Sequence, residues 1–374
     1  MRILFWCERF FPLVGGVEVL TGGLAMALQA RGHAVLMVAR SDDLELPEHA
    51  WYEGVPIRRL PFWAALAAGS AEQVLAMRAR VRDLKRSFAP DVVHLHTMEI
   101  SLFFHLQSAA TPRVPVLHTL HGIPAAAATA PGSVLGQSLR AADWVTAVSQ
   151  PVLNETRRLL PALTARSSLI RNALSPPARV PRPLPPAPRL LCLGRLERVK
   201  GFDLALAAFA ELLAAHPAAR LIVAGEGRER RALEAQAAAL HLGRAVEFTG
   251  WIAPDAVPDL LDTVTAVVMP SRDEPFGLVA LQAAQMARPI IAARVGGLAE
   301  VVVDGVTGLH VAPDDAAALR RALQWLLGHP AAAAEMGAAA RRRALAEFLW
   351  EPCVDAYEGL YVRLHEEGMD ARPA

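Results

Sequence analysis

The chain contains few cysteines, few lysines and almost no net charge. Its 374 residues include three cysteines, which lie far apart and form no Cys-x-x-Cys pair. This pattern argues against a disulfide framework and against a structural zinc site, and it is typical of a reducing compartment. The 38 basic and 37 acidic residues give a net charge of +1, so the composition lacks the basic excess of a general nucleic-acid-binding protein.

Uninterrupted apolar runs are also missing. The N-terminal segment 1–9 has an apolar run of only five residues, 3–7, between Arg2 and Glu8, which is too short for a signal peptide and indicates a buried first strand. The longest uncharged stretch, 114–139, is interrupted by prolines, glycines and histidines, so we interpret it as loop and strand rather than a membrane helix. We therefore predict a cytoplasmic protein, whose 53% hydrophobic residues suffice for a sizeable core.

Short apolar runs alternate with helical patterns in both halves of the chain. This alternation predicts an α/β fold of two Rossmann-like domains, whose parallel sheets carry helices on both faces. Residues 176–188 contain seven prolines in thirteen positions and cannot form a helix or a sheet interior. We expect domains at 1–175 and 189–348, joined by this linker, with ligands bound at the carboxyl ends of the strands in a central cleft.

Two glycine-containing turns and an acidic loop are candidates for binding an anionic ligand. Gly15 and Gly16 follow the first strand and open a helix, although glycines needed only for a tight turn would look the same. They lack the Gly-x-Gly-x-x-Gly pattern, which disfavours a nicotinamide enzyme. Arg195 and Lys200 follow a strand of the second half and are suited to a diphosphate. Glu274 precedes a helix and could contact sugar hydroxyls or merely cap that helix.

Taken together, the motifs of the whole chain resemble the retaining glycosyltransferases of family 4, which have the two-domain GT-B fold. No single motif is specific, but their order and spacing are. The motifs are Gly15-Gly16-Val17-Glu18, Asp91-Val92-Val93-His94-Leu95-His96, His118-Thr119-Leu120-His121-Gly122, Gly194-Arg195-Leu196 with Lys200-Gly201, Ala224-Gly225-Glu226-Gly227, Phe248-Thr249-Gly250, Glu274-Pro275-Phe276-Gly277, and Gly296-Gly297 followed by Glu300.

This resemblance implies transfer of a hexosyl group, with retention of configuration, from a nucleoside diphosphate sugar of the UDP or GDP type. The acceptor would be a hydroxyl of a glycan or a lipid-linked glycan, as in polysaccharide or glycolipid assembly, bound on the side of the first domain. The segment 349–374 resembles the family's final helix, which crosses back to that domain. The competing interpretations are a sugar-nucleotide epimerase of the same architecture and a binding protein with weakened catalysis.

The resemblance also assigns roles to particular residues. Those implied at the reacting centre are Arg195 and Lys200 on the diphosphate, Glu274 on the transferred sugar and His121 beside it. Further donor contacts would come from Gly15, from Gly16 and from the backbone around Phe276, Gly277 and Leu278. The family's second glutamate falls at Gln282, an uncharged side chain that still hydrogen-bonds and should weaken ribose binding about tenfold.

Three expectations concern metals, histidines and membranes. Because the two cations would stabilise the leaving group and no Asp-x-Asp pair is suited to a cation, we predict no metal and no other cofactor. His94 and His96 share one face of a strand, and His96 either faces the cleft or packs inside the domain. The basic helix pattern at 72–88 is expected to be a solvated face, or alternatively to touch the inner face of a membrane.

Overall fold

The computed structural model describes residues 1–42, 46–108 and 113–370. The chain divides into two compact units. The first comprises Met1–Asn172 and Glu351–Ala374, and the second comprises Ala173–Trp350. The last four residues of the predicted segment 349–374 lie outside the described residues. Among the described residues, none of the helices is both long enough and apolar enough to span a bilayer.

The first unit contains an eight-stranded sheet in the order β3-β4-β2-β1-β5-β6-β7-β8. Its strands are β1 (Arg2–Trp6), β2 (Ala34–Arg40), β3 (His49–Tyr52), β4 (Val55–Leu60), β5 (Val92–Leu95), β6 (Val116–Leu120), β7 (Trp144–Ala147) and β8 (Ser167–Leu169). All neighbours pair in parallel except β3 and β4, which form an antiparallel hairpin at one edge. The hairpin departs from the predicted parallel pattern. Its turn, Glu53-Gly54, has positive φ at both residues, as a two-residue hairpin turn requires.

Six helices of the first unit connect these strands: α1 (Gly16–Ala30), α2 (Phe62–Ala67), α3 (Ala71–Phe88), α4 (Leu102–Leu106), α5 (Val134–Ala141) and α6 (Gln150–Leu159). The central strands are almost continuously buried and rich in Val, Ile and Leu, as expected for a parallel sheet covered on both faces. The core therefore lies between sheet and helices, and the strand ends are left for function.

The second unit has a six-stranded parallel sheet in the order β11-β10-β9-β12-β13-β14. Its strands are β9 (Arg189–Leu193), β10 (Arg220–Ala224), β11 (Val246–Gly250), β12 (Ala266–Met269), β13 (Ile290–Ala293) and β14 (Gly308–Val311). Its helices are α7 (Phe202–Leu212), α8 (Arg230–Ala239), α9 (Val257–Leu261), α10 (Leu278–Gln285), α11 (Leu298–Val301), α12 (Ala316–Gly328) and α13 (Pro330–Glu347). The strand order reverses at β9 and β12, which is where such sheets bind ligands.

The last helix, α14 (Trp350–Asp370), returns to the first unit. Its Val354, Tyr357 and Tyr361 are buried, so it forms part of that unit's core. The guanidinium of Arg31, at the end of α1, lies 2.6 Å from Glu358 and 2.7 Å from Glu351.

The proline-rich segment 176–188 contains no helix or strand and is assigned to the second unit. Arg179 and Arg182 both donate to the buried carboxylate of Asp262, at 3.0 and 2.5 Å. That carboxylate also accepts a 2.9 Å hydrogen bond from Arg288, and both of these side chains are fully buried. Ion pairs as well as proline stiffness therefore fix the segment to the second unit.

Candidate active site

The candidate site of the second unit lies at the carboxyl ends of β9 and β12. The loop after β9 carries Arg195 and ends in a short 3₁₀ turn, Arg198–Lys200, before α7 begins. The loop after β12 carries Glu274 and leads into α10. Because β9 and β12 are paired neighbours in a parallel sheet, both loops leave the same edge.

Lys200 and Glu274 meet at this edge. The Lys200 Nζ lies 2.6 Å from the Glu274 Oε2, although 74 residues separate them in sequence. The Lys200 side chain is 21% exposed and that of Glu274 is 10% exposed. Solvent therefore reaches this pair only in part, which makes each charge a strong partner for a ligand. Within the pair, each charge neutralises the other.

Backbone contacts hold the two loops against each other. The Arg272 N–H donates to the Val199 carbonyl at 2.7 Å, and the Arg272 guanidinium donates to the Arg198 carbonyl at 2.7 Å. Gly201 has a φ of +68°, and a Cβ there would lie 2.0 Å from the Pro270 carbonyl oxygen. Only glycine permits this approach. Contacts to the backbone of the two loops therefore fix the positions of Lys200 and Glu274 relative to each other.

Arg272 is fully engaged within the protein. Its Nη1 and Nη2 donate to the two carboxylate oxygens of Asp203 at 2.8 and 2.7 Å, and its Nε donates to Asp314 at 2.7 Å. The hydrogen bond from Arg272 lowers the pKa of the Asp203 carboxyl. This guanidinium therefore braces the loop, and sequence reasoning did not identify its role because Asp203 and Asp314 are distant along the chain.

A second glycine pair seats the backbone of Glu274. The Gly297 N–H donates to the Glu274 carbonyl at 3.0 Å. Gly296 has a φ of +46°, and a Cβ there would lie 2.3 Å from the same carbonyl oxygen. The Gly296-Gly297 motif therefore has an evident local reason, which is close packing under the acidic loop.

Arg195 and Gln282 are available to a ligand. The Arg195 side chain is exposed and has no ion-pair partner within the described residues. Gln282 lies on α10, is half-buried, and its amide likewise makes no side-chain hydrogen bond there. The structure gives no contact that joins Arg195 to Lys200, so only the shared loop connects these two predicted cations.

Around Phe276, only backbone groups are available for the predicted ligand contacts. The Phe276 ring is buried and packs against Phe348 at a centroid separation of 6.0 Å, so it is not offered to a ligand. Gly277 caps the start of α10 with a φ of +101°, and Leu278 is the first helical residue. The first turn of an eight-residue helix therefore presents unpaired N–H groups beside Glu274.

The predicted glycine turn of the first unit has ordinary backbone angles. Gly15 is extended, with φ −144°, and caps α1, which starts at Gly16. A Cβ at Gly15 would lie 2.6 Å from the Glu18 Oε2, so the reason for glycine here is space rather than conformation. The Glu18 carboxylate therefore lies against Gly15 at the start of α1.

His121 is the half-buried end of a row of histidines in the first unit, of which His94 and His96 are buried. Its Nε2 lies 3.0 Å from the His96 Nδ1, and the His96 Nε2 lies 3.1 Å from the His94 Nδ1. Burial lowers the pKa of His121 to about 4 and holds those of His94 and His96 well below 6.5, so all three are neutral near pH 7. Of the two possibilities for His96, packing inside the unit agrees with its burial.

Within the described residues, no group of three or more His, Cys, Asp and Glu side chains is arranged to hold a metal ion. The three cysteines are unpaired thiols, and burial raises the pKa of Cys192 above its ordinary value.

Two α/β units built on mainly parallel sheets form the GT-B architecture, which the chain shares with solved glycosyltransferases. Residues 14–176 match the family model Glycosyltransferase Family 4, and residues 181–343 match Glycosyl transferases group 1. The chain belongs to glycosyltransferase family 4, which confirms the predicted family, fold class and transferase activity.

Relatives and solved structures agree over nearly the whole chain. A glycogen synthase of Mycobacterium tuberculosis is 32% identical, covering 97% of this chain and 94% of the relative. A D-inositol 3-phosphate glycosyltransferase of Acidothermus cellulolyticus is 31% identical, and the match covers 93% of this chain and 85% of the relative. The solved sucrose-phosphate synthase from Thermosynechococcus elongatus superimposes with a TM-score of 0.84 at 25% identity. The superposition covers 98% of this chain and 99% of the synthase chain. These likenesses support nucleotide-sugar glycosyl transfer in glycan biosynthesis.

Proposed function

We propose that the protein transfers a glucosyl or closely related hexosyl group from a nucleoside diphosphate sugar to a glycan hydroxyl, on the cytoplasmic side of the cell. The observation that carries this proposal is the Lys200–Glu274 pair, 2.6 Å apart at the carboxyl edge of the second sheet. Glycogen and sucrose phosphate, for which two relatives are named, both contain glucose. Glucosyl donors are therefore the first to test.

Charge development explains why this pair would serve such a reaction. Cleavage of the sugar–phosphate bond places negative charge on the leaving diphosphate, which a fixed ammonium stabilises. Lys200 would supply that charge, and Arg195 would add a bidentate contact. Glu274 would then accept hydrogen bonds from hydroxyls of the transferred sugar. Donor binding thus exchanges one internal ion pair for two ligand contacts.

The remaining donor contacts are proposed from the same loops and from the first unit. The free N–H groups from Phe276 to Leu278 would meet sugar or phosphate oxygens, and the Gln282 amide would bind the ribose. In the first unit, Gly16 and Gly15 would allow a phosphate to approach the α1 backbone, and His121 would contact the sugar. We propose metal-independent transfer, because these groups supply the positive charge.

A screen of sugar nucleotides with product analysis tests the proposal. UDP, GDP and ADP forms of glucose, galactose and N-acetylglucosamine are incubated with the protein, with and without EDTA. Slow donor hydrolysis or transfer that persists in EDTA supports the proposal. An isomerised donor would instead indicate an epimerase, and binding without turnover would indicate a catalytically weakened binding protein.

A matched variant connects the activity to the site. Lys200→Met should lower turnover of whichever donor is active by about 100–1,000-fold, because it removes the ammonium beside Glu274. Arg198→Met removes an exposed positive charge two residues away, which forms no ion pair within the described residues, and should leave turnover near the wild-type level. Equal losses in both variants would contradict the proposed role of Lys200.

Peripheral membrane contact through α3 is a second, separate proposal. Lys85 is buried and donates to the carbonyls of His105 and Ser108, so it is not available to lipid. Arg78 donates to the Gln107 carbonyl and Arg80 pairs with Glu48, which leaves Arg82 as the cation best placed for an anionic surface. Co-sedimentation with anionic vesicles should fall when Arg82 and Arg86 are changed to Glu, and unchanged binding would dispose of the idea.

A further inference from the structure

The buried polar chain behind His121 extends to the C-terminal helix. It runs from the His121 Nε2 to His96 (3.0 Å), from His96 to His94 (3.1 Å), and from the His94 Nδ1 to the Tyr361 hydroxyl on α14 (2.6 Å). The Phe5 ring packs on both inner histidines, with centroid separations of 5.3 Å to His94 and 5.1 Å to His96. The orientations of these rings are therefore fixed by packing.

The Tyr361 hydroxyl determines which nitrogen of His94 carries the proton. Tyr361 is fully buried, and the His94 Nδ1 is its only hydrogen-bond partner within the described part of the chain. Burial raises the pKa of the phenol, so it keeps its proton, and an unused buried donor would cost about 1–3 kcal/mol. The hydroxyl therefore donates to the His94 Nδ1. His94 then carries its own proton on Nε2, which donates to the Thr119 Oγ1 at 2.7 Å.

The state of His94 determines that of His96. Their rings partly overlap, with centroids 3.8 Å apart, and the His96 Nε2 lies against the His94 Nδ1, whose lone pair Tyr361 occupies. An unprotonated His96 Nε2 would place a second lone pair at that electron-rich nitrogen, whereas an N–H is attracted to it. His96 is neutral, so a proton on Nε2 leaves its Nδ1 as an acceptor.

The contact between His96 and His121 is a well-aligned hydrogen bond. The ring centroids are 5.3 Å apart with a 29° interplanar angle, so the two nitrogens point toward each other at 3.0 Å. Since the His96 Nδ1 accepts, the His121 Nε2 donates. The His121 Nδ1 then bears a lone pair, and that buried atom has no hydrogen-bond partner within the described residues.

We infer that His96 is a positioning residue that holds His121 in the Nε2–H tautomer, so that the His121 Nδ1 accepts a hydrogen bond from a hydroxyl of the donor sugar or of the acceptor. The inference rests on the proposed function for the identity of that hydroxyl, but not for the tautomer. A neutral acceptor nitrogen favours a substrate hydroxyl over a phosphate oxygen, because a phosphate oxygen carries no proton to donate at neutral pH. The alternative tautomer would offer an N–H, which either a phosphate oxygen or a hydroxyl oxygen could accept.

Nitrogen NMR of the histidine rings tests the tautomer without any substrate. In the wild-type protein at pH 7, long-range ¹⁵N–¹H correlations should show the proton of His121 on Nε2 and an unprotonated Nδ1. His121→Gln identifies the signals. A proton on the His121 Nδ1 would overturn the inference, whether or not the protein turns over a sugar nucleotide.

Two substitutions at His96 separate positioning from packing. His96→Asn retains an oxygen acceptor near the site of the His96 Nδ1, whereas His96→Leu fills space without an acceptor. The leucine variant should lose about tenfold in turnover, the equivalent of one neutral hydrogen bond, and His121 should show both tautomers. The asparagine variant should recover most of the activity and the single tautomer. Equal losses in both variants, with the His121 tautomer unchanged, would contradict a positioning role.

Two tyrosines on α14 test whether Tyr361 determines the tautomers of the histidines. Tyr361→Phe removes the hydroxyl that donates to His94 and should mix the tautomers of His121. Tyr357→Phe is the matched control, because Tyr357 is also buried on this helix and its hydroxyl lies 3.5 Å from the Thr119 hydroxyl. If the two variants give the same His121 spectrum, Tyr361 does not determine the tautomer of His121.

Discussion

The two units are built on similar parallel sheets but differ in the basic side chains that they bury completely. The first unit encloses neutral histidines, with His94 and His118 fully buried and His96 nearly so. The second encloses a full ion pair, Arg288 with Asp262, at 2.9 Å. A buried neutral imidazole is stable only while it remains unprotonated, whereas a buried ion pair is stable only while both partners are present. The two units should therefore fail under different conditions.

The largest expected effect concerns the ion pair. Asp262→Asn leaves the fully buried Arg288 without its counter-charge and also removes the carboxylate that holds Arg179 and Arg182. We expect the free energy of unfolding of the second unit to fall by about 3–5 kcal/mol. Chemical denaturation followed by hydrogen exchange in each unit measures this loss.

Asp259 provides the control for this substitution. It also pairs with Arg179, but its side chain is 67% exposed. Asp259→Asn should cost less than about 1 kcal/mol, as exposed ion pairs do. Similar losses for the two variants would mean that burial of the pair does not distinguish the second unit.

The next largest effect concerns catalysis in the second unit. Lys200→Met removes the ammonium proposed for the leaving diphosphate and should lower kcat by about 100–1,000-fold, as the loss of one fixed transition-state donor does. Single-turnover assays with the active donor measure this step. Retention of more than a tenth of wild-type turnover would count against the role of Lys200.

Acid should affect the first unit before the second. Burial lowers the pKa of His118 from 6.5 to about 4, so between these values the unfolded chain binds more protons than the folded unit. Above pH 6.5 the histidine is neutral in both states and does not oppose folding. As the pH falls toward 4, this residue alone lowers the free energy of unfolding of the first unit by about 3 kcal/mol. The pKa of Asp262 is lowered instead: burial raises it, but the hydrogen bonds from Arg182 and Arg179 outweigh that, so the second unit should hold to lower pH.

Hydrogen exchange between pH 7 and 4 checks this order. Amides of β5 and β6 should lose protection at higher pH than those of β9 and β12. His329→Gln, at an exposed position of the second unit, should leave both profiles unchanged. Loss of amide protection at the same pH in both units would contradict the predicted difference in acid sensitivity.

The smallest effect is expected at the ribose contact. Gln282→Glu adds a charge to a half-buried side chain on α10 and should tighten donor binding about tenfold, the difference between a neutral and a charged hydrogen bond. Calorimetry with the nucleoside diphosphate measures it. Weaker or unchanged binding would argue against Gln282 as the ribose contact.

Much of this architecture was predictable because it is encoded locally. The strand–loop–helix units around Gly194, Lys200 and Glu274 follow from apolar runs, glycines and a helix start within a few residues of each other. The hairpin β3–β4 was missed because its strands are short and half-exposed. Buried pairs such as Tyr361 with His94, separated by 267 residues, have no local signature, since only the packed sheet brings them together.

The two lysines of the chain allow the central claim, that Lys200 binds a diphosphate, to be tested directly. Lys85 is buried, and burial lowers its pKa to about 7, whereas Lys200 is partly exposed. An amine-reactive reagent, with peptide mass spectrometry in the presence of UDP, GDP or ADP, measures the labelling of each lysine. We predict that at least one nucleotide slows the labelling of Lys200 and leaves that of Lys85 unchanged. Labelling of Lys200 at the same rate with all three would contradict the account.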